Sequence, residues 1–160
     1  MAEVTTAISH VLVPTDGSEG ALKAAAFAGQ LARTLDARIS VILVQSEDLI
    51  MPHAWGAGEY PAGTPYSSMS VDEIRDMLEQ RLREKELPAT VSALGSLGQE
   101  PESSIVWGHA AEEICRFAQE HNVDLIVIGS HGRTGIRRAL LGSVSHAVAN
   151  QAPCPVTIVR

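Results

Sequence analysis

Four short runs of β-branched and aliphatic residues, "ISHVLV" (8–13), "ISVILV" (39–44), "LIVI" (125–128) and "VTIV" (156–159), limit this chain more than any other feature. They are almost continuously apolar instead of alternating, so strands built from them must be covered on both faces, as in parallel sheets. Parallel neighbours need long crossovers, and the intervening sequence carries helical patterns to make them. Ser18 is placed to cap a helix in which Ala24, Ala28, Leu31 and Leu35 form one stripe. Ser70 and Glu73 make an S-x-x-E capping box, with Val71, Ile74, Leu78 and Leu82 on the apolar face that follows. Ala110, Ile114, Phe117 and Ala118 predict a third helix. Val144, Ala147 and Val148 predict a fourth over about 143–151, stopped by Pro153 and Pro155.

A weaker strand within "ATVSALGSL" (89–97) completes an alternation of five strands and four helices, the pattern of a doubly wound α/β domain. Residues 47–69, rich in glycine and proline, read as a long loop serving as a lid or contact surface. "GQEPESS" (98–104) reads as an insertion at or after the third strand, and whether "SIVW" is a separate strand stays open. With no internal repeat and no linker, residues 1–160 are expected to form one domain, large enough to bury a core without disulfides or metal.

A formal net charge of −7 works against capture by nucleic acid or an anionic membrane surface. No apolar stretch reaches the roughly 18–20 residues of a bilayer span, and "MAEVTTAISH" lacks the features of a secretory signal. These readings predict a cytoplasmic protein. Cys115 and Cys154 form no CxxC pair and read as small buried hydrophobes in a reducing compartment.

In an open parallel sheet, ligands sit beyond the carboxyl ends of the strands where the strand order reverses. The two most polar strand exits are "VPTDGS" and "IGSHGRTG", which predicts that they wall one crevice. Gly129 and Gly132 are expected to let the backbone adopt positive φ and approach a ligand closely. Gly142, Ser143 and Ser145 would open a helix whose N–H groups and dipole favour an anion. Together they make two halves of a phosphate cradle, with Arg133, Arg137 and Arg138 adding positive potential or facing water. Ordinary turn and capping chemistry explains the same residues, and Asp16 on its own could merely close an Asx-turn.

Gly129-x-x-Gly132, nine residues, then Gly142-Ser143 resembles the G-2x-G-9x-G-[S/T] signature of the ATP-binding branch of the universal stress protein family. "HVLVPTDGSEGALKAA", "AAEEI", "DLIVIGSHGRTG" and "APCPVTIVR" resemble that family in the same order, over nearly the whole chain. The resemblance implies a Rossmann-like, three-layer sandwich of the adenine nucleotide alpha-hydrolase type, with a five-stranded parallel sheet of order 3-2-1-4-5. It further implies Pro14, Thr15 and Asp16 beside the adenosine, with Asp16 near the ribose, and Val44 meeting the adenine through its backbone. Ile128 and Gly129 would line the ribose side, and Gly132, Gly142, Ser143, Val144 and Ser145 would hold phosphates. ATP, or AMP or ADP, is the implied ligand, with Mg²⁺ or Mn²⁺ held on its phosphates and no metal-ligating side chain assigned. A homodimer through the C-terminal strand (155–160) is implied as well.

GxxxxGK[ST], GxGxxG after the first strand, GxSxG and HExxH are all absent. The primary expectation is therefore a stress-response module that binds nucleotide and hydrolyses it slowly if at all. Two alternatives remain: an ATPase or phosphotransferase using Asp16, Ser143 or His131, and a dimeric interaction protein with an empty site.

Overall fold

The computed structural model describes residues 7–50, 69–132 and 141–160. In chain order the elements are β1 (His10–Thr15), α1 (Glu19–Leu35), β2 (Arg38–Gln45), α2 (Val71–Arg81), α3 (Leu87–Leu94), β3 (Glu102–Trp107), α4 (Ala110–Glu120), β4 (Leu125–Gly129), α5 (Ser143–Gln151) and β5 (Val156–Val159). A short 3-10 turn, Glu47–Leu49, follows β2, and a π turn, Leu82–Glu86, joins α2 to α3. The strands form one parallel sheet of order β3-β2-β1-β4-β5, so the direction of winding reverses between β1 and β4.

The apolar runs do what continuous hydrophobicity requires. Val11, Val13, Val41, Leu43, Leu125 and Val127 face one core, with Ala24, Ala25, Ala28 and Ala32 of α1, Leu82, and Leu87 and Leu94 of α3. Leu12, Ile42, Ile126 and Ile128 face the other, with Ile114, Phe117 and Ala118 of α4 and Val148 of α5. Successive residues of each strand thus enter opposite layers, and neither face of the sheet is left to water.

Capping follows the predicted chemistry. Ser18 Oγ accepts the Ala21 N–H at 3.3 Å, and the Ser70–Glu73 box closes reciprocally, with contacts of 3.3 and 2.7 Å. The apolar stripe of α1 is rotated from the expected one. Ala21, Ala24, Ala25, Ala28, Gly29 and Ala32 are the buried residues, whereas Leu31 is only partly buried and Leu35 is 40 % exposed. Small residues win because α1 packs very close to its neighbours: a Cβ on Gly29 would collide with the Leu94 backbone of α3. Val144 is likewise 38 % exposed, so the buried side of α5 rests on Ser145 and Val148.

Two expectations are corrected. Residues 89–97 hold no strand; they fall largely in α3, whose Leu87, Thr90 and Leu94 repeat at helical spacing on its buried side. Nor is 98–104 an insertion after the third strand, because Glu102–Trp107 is itself β3, paired with β2 from Ser40↔Glu102 to Gln45↔Trp107. β3 is an edge strand with an exposed, serine-containing start, so its apolar signal is diluted.

At the end of the sheet where β1 begins, His10 is buried, with Nε2 2.8 Å from Ser40 Oγ. Its Nδ1 lies 3.0 Å from Arg38 Nη2 and 3.2 Å from the His121 carbonyl. Nδ1 thus faces a donor and an acceptor; the guanidinium is closer and charged, which favours a lone pair on Nδ1 and the proton on Nε2, directed at Ser40. Burial and then the Arg38 charge lower the His10 pKa below its ordinary 6.5, outweighing the His121 carbonyl, Glu102 and Asp124. A folded-state pKa below the unfolded one means stability that is complete above the unfolded value and is lost as pH falls. The urea midpoint is expected to drop between about pH 7 and pH 5, and His10→Asn to flatten that slope. Asp124, whose pKa is lowered by the Ser9 N–H and hydroxyl, titrates below this window and does not confuse the reading. Equal slopes for the two proteins would refute the assignment.

Candidate functional site

The crevice at the switch point begins with a split in the sheet. β1 stays paired with β2 up to Thr15↔Leu43, but its registered pairs with β4 end at Leu12↔Ile126. The His10 carbonyl accepts the Asp124 N–H on the β4 side, and alternation therefore turns Leu12 and Pro14 towards that side too. Pro14 has no N–H to offer. The central strand thus lacks a donor towards β4 close to where the two strands separate.

One wall is the turn after β1. Gly17 has φ 74°, a left-handed conformation that favours glycine. Asp16 Oδ1 accepts the Ser18 N–H at 3.0 Å, an Asx-turn, and Thr15 Oγ1 accepts the Gly17 N–H at 3.2 Å. The other carboxylate oxygen, Asp16 Oδ2, lies across the crevice against Gly132, where a Cβ would collide with it. The capping role of Asp16 is thus real, and its carboxylate also reaches the opposite wall.

The second wall runs from the end of β4 to α5. Gly129 and Gly132 do not have positive φ, contrary to expectation; the glycines are required by closeness. A Cβ on Gly129 would sit 2.7 Å from the Gly20 carbonyl carbon and oxygen, and one on Gly20 would sit 2.6 Å from the His131 carbonyl oxygen. A Cβ on Gly142 would lie 3.0 Å from the Ser130 carbonyl oxygen. That carbonyl accepts the Gly142 N–H at 2.8 Å and the Ser145 hydroxyl at 3.0 Å, while the Ser130 N–H donates to the Val159 carbonyl at 2.8 Å. Ser130 therefore ties the end of β4 to α5 and β5 together, a role that its position inside the glycine motif only hints at.

Gly142 is the N-cap of α5 and supplies no capping side chain. The first intrahelical bond runs from the His146 N–H to the Gly142 carbonyl at 2.9 Å, leaving the N–H groups of Ser143, Val144 and Ser145 without acceptors within the helix. With the positive end of the helix dipole, they form a donor set suited to an anion. Ser143 is exposed beside it. The Ser145 hydroxyl is not: it is buried and turned inward to the Ser130 and Gly142 carbonyls, so its backbone alone faces the expected phosphate position.

Val44 is partly buried and Ile128 buried; their side chains pack into the α4–α5 layer, so only their main chain is left for the expected ligand contacts. Ser130 Oγ lies 3.1 Å from His131 Nδ1, although neighbours in sequence rarely face one another. Arg133, Arg137 and Arg138 lie outside the described residues, as does most of the 47–69 loop. Among the described residues, no group of three or more His, Cys, Asp or Glu side chains is arranged to hold a metal, and no helix is long and apolar enough to cross a membrane.

Fold and site together define a doubly wound α/β domain with a glycine-walled crevice at its switch point. The chain belongs to the Universal stress protein family, which it matches over residues 7–160. It is 33 % identical to the universal stress protein YxiE of Bacillus subtilis over 152 residues, covering 95 % of this chain and 99 % of that one. Among solved structures it is similar to MJ0577 of Methanocaldococcus jannaschii, with TM-score 0.77, 26 % identity and 96 % of each chain covered. It is also similar to a universal stress protein solved in complex with cAMP, with TM-score 0.63, 27 % identity, and 97 % of this chain and 99 % of that one covered.

The glycines separate by what they touch. Gly129→Ala opposes backbone on α1 and is expected to lower stability by about 1–3 kcal/mol. Gly132→Ala opposes the tip of a side chain that can swing away, so its thermal midpoint should stay within about 2 °C of the parent. Thermal unfolding of both variants checks this, and equal losses would contradict the distinction.

Proposed function

We propose that this chain is a nucleotide-binding module whose ligand is an adenine nucleotide, ATP foremost, with AMP or ADP as its lower-phosphate forms. One observation carries the reading: Gly132 lies against the Asp16 carboxylate across the gap between β1 and β4, and the uncapped start of α5 at Gly142 is bonded to the same second wall through the Ser130 carbonyl. The relative solved with cAMP adds support, since it holds an adenine nucleotide on a similar fold.

In this reading the phosphates lie on the N–H groups of Ser143, Val144 and Ser145, beside Gly132 and Gly142, with the Ser143 hydroxyl as a further donor. Asp16 accepts from a ribose hydroxyl, with Pro14 and Thr15 alongside and Ile128 and Gly129 on the other flank. The Val44 main chain meets the adenine. The described residues offer no protein cage for a metal, so Mg²⁺ or Mn²⁺ would be held by phosphate oxygens and water. Binding alters partners or assembly during stress in the cytoplasm, and hydrolysis is slow. The strand over 155–160 forms a homodimer contact; β5 is the last strand of the sheet, with its side chains half-buried.

Equilibrium dialysis with labelled ATP tests the reading. The parent is expected to retain nucleotide, and Gly142→Val to lose at least about tenfold in affinity, because the new side chain meets the Ser130 carbonyl and crowds the donor set. Negligible retention by both folded proteins would reject it.

A further inference from the structure

Beyond the glycine signature, one buried side chain remote in sequence is bonded to the crevice wall. Thr90 is fully buried at the centre of the α3 face that carries Leu87 and Leu94, a position where an aliphatic residue of the same volume would pack equally well. Its hydroxyl lies 2.8 Å from Thr15 Oγ1 and 3.2 Å from the Glu86 carbonyl. A carbonyl can only accept, so Thr90 gives its proton to Glu86. Its oxygen is then the acceptor for the Thr15 hydroxyl, which is buried as well and in turn accepts the Gly17 N–H. The directions are therefore fixed along one line: Gly17 N–H to Thr15, Thr15 to Thr90, Thr90 to Glu86.

The far end of this line is anchored in an unusual piece of helix. Glu86 closes the π turn, in which the Leu87 N–H reaches back to the Leu82 carbonyl, and Pro88, without an N–H, stands just beyond it. The near end is the amide of the one left-handed residue in the Asp16 turn. Loss of the Thr90 hydroxyl would leave the Thr15 proton buried without this acceptor, and Thr15 would have to rotate to satisfy it.

We propose that Thr90 is a positioning residue for the nucleotide: through Thr15 it holds the Gly17 turn, and with it the Asp16 carboxylate, in the conformation that receives the ligand. This rests on the nucleotide-binding reading above. It assigns an affinity-determining role to α3, which contributes no residue to the expected ligand contacts.

The test compares the parent, Thr90→Val, Thr90→Ser, Thr15→Val and the double Thr15→Val/Thr90→Val variant, by ATP titration well below each thermal midpoint. Thr90→Val is expected to raise Kd about tenfold, and Thr90→Ser to return it to within about twofold of the parent. In the Thr15→Val background the same change should have no further effect, because the line is already cut. An unchanged Kd for Thr90→Val, with only the thermal midpoint lowered, would make Thr90 a packing residue and overturn the proposal. So would additive effects in the double variant. Hydrogen exchange at the Gly17 amide supplies an arm that needs no ligand, and it should quicken in Thr90→Val and recover in Thr90→Ser. If the parent binds no adenine nucleotide, the nucleotide reading fails, while the exchange arm still decides whether the relay exists.

Discussion

Everything at the crevice depends on how closely the first turn of α1 approaches the end of β4. Gly129 meets the Gly20 backbone, and Gly20 the His131 carbonyl, each at a distance that an added Cβ would not tolerate. Because α1 begins directly after the β1 turn, this contact fixes the separation between the two strand exits as well as the packing of a helix on a sheet. Asp16 can then touch Gly132 from the other side of the gap. Larger residues at 20 and 129 would push the walls apart and leave two unrelated loops. The alanine seam of α1 extends the same logic along the helix, with Gly29 against α3.

A second consequence concerns which groups are left to face a ligand. Thr15, Ser130 and Ser145 all carry hydroxyls at the site, yet each makes hydrogen bonds to the protein's own framework. Val44 and Ile128 send their side chains into the core. Among these described residues, what is left for a ligand is largely main chain, supported from behind by side chains. That arrangement gives donors whose directions are set by the fold itself, so little ordering remains to be done when something binds.

The sequence made much of this legible, for physical reasons that can be named. Doubly covered strands declare themselves by continuous hydrophobicity, and all four such runs are strands, although β1 is displaced by two residues towards the site. Caps declare themselves by local chemistry, and both Ser18 and Ser70 act as expected. β3 was hidden because an edge strand beginning Glu-Ser-Ser has no such signature, and "ATVSAL" mimics one with β-branched residues in what is a helix. At the site, the absence of a Cβ at Gly129 and Gly132 is legible but positive φ is not the reason, and the close neighbours, Gly20 and Asp16, are tertiary facts. Thr90 had no signal at all: its meaning comes only from a partner 75 positions away.

An acidic chain poses a problem for any anion site, and the geometry here bears on it. At a net charge of −7 the long-range field of the protein disfavours a polyanion, but that field is screened over roughly 8 Å at physiological salt. Donors in contact are screened far less, and those at a helix start act within one turn. The α5 N-terminus is such a donor set, opened by a residue with no side chain to occupy it. The Asp16 carboxylate on the facing wall has one oxygen on the Ser18 N–H and the other against Gly132. One oxygen is thereby held by the turn, and the other reaches the opposite wall as an acceptor. In the nucleotide reading proposed above, the donors at the α5 start would take phosphate and the Asp16 carboxylate a ribose hydroxyl, so that the two walls would orient the ligand between them.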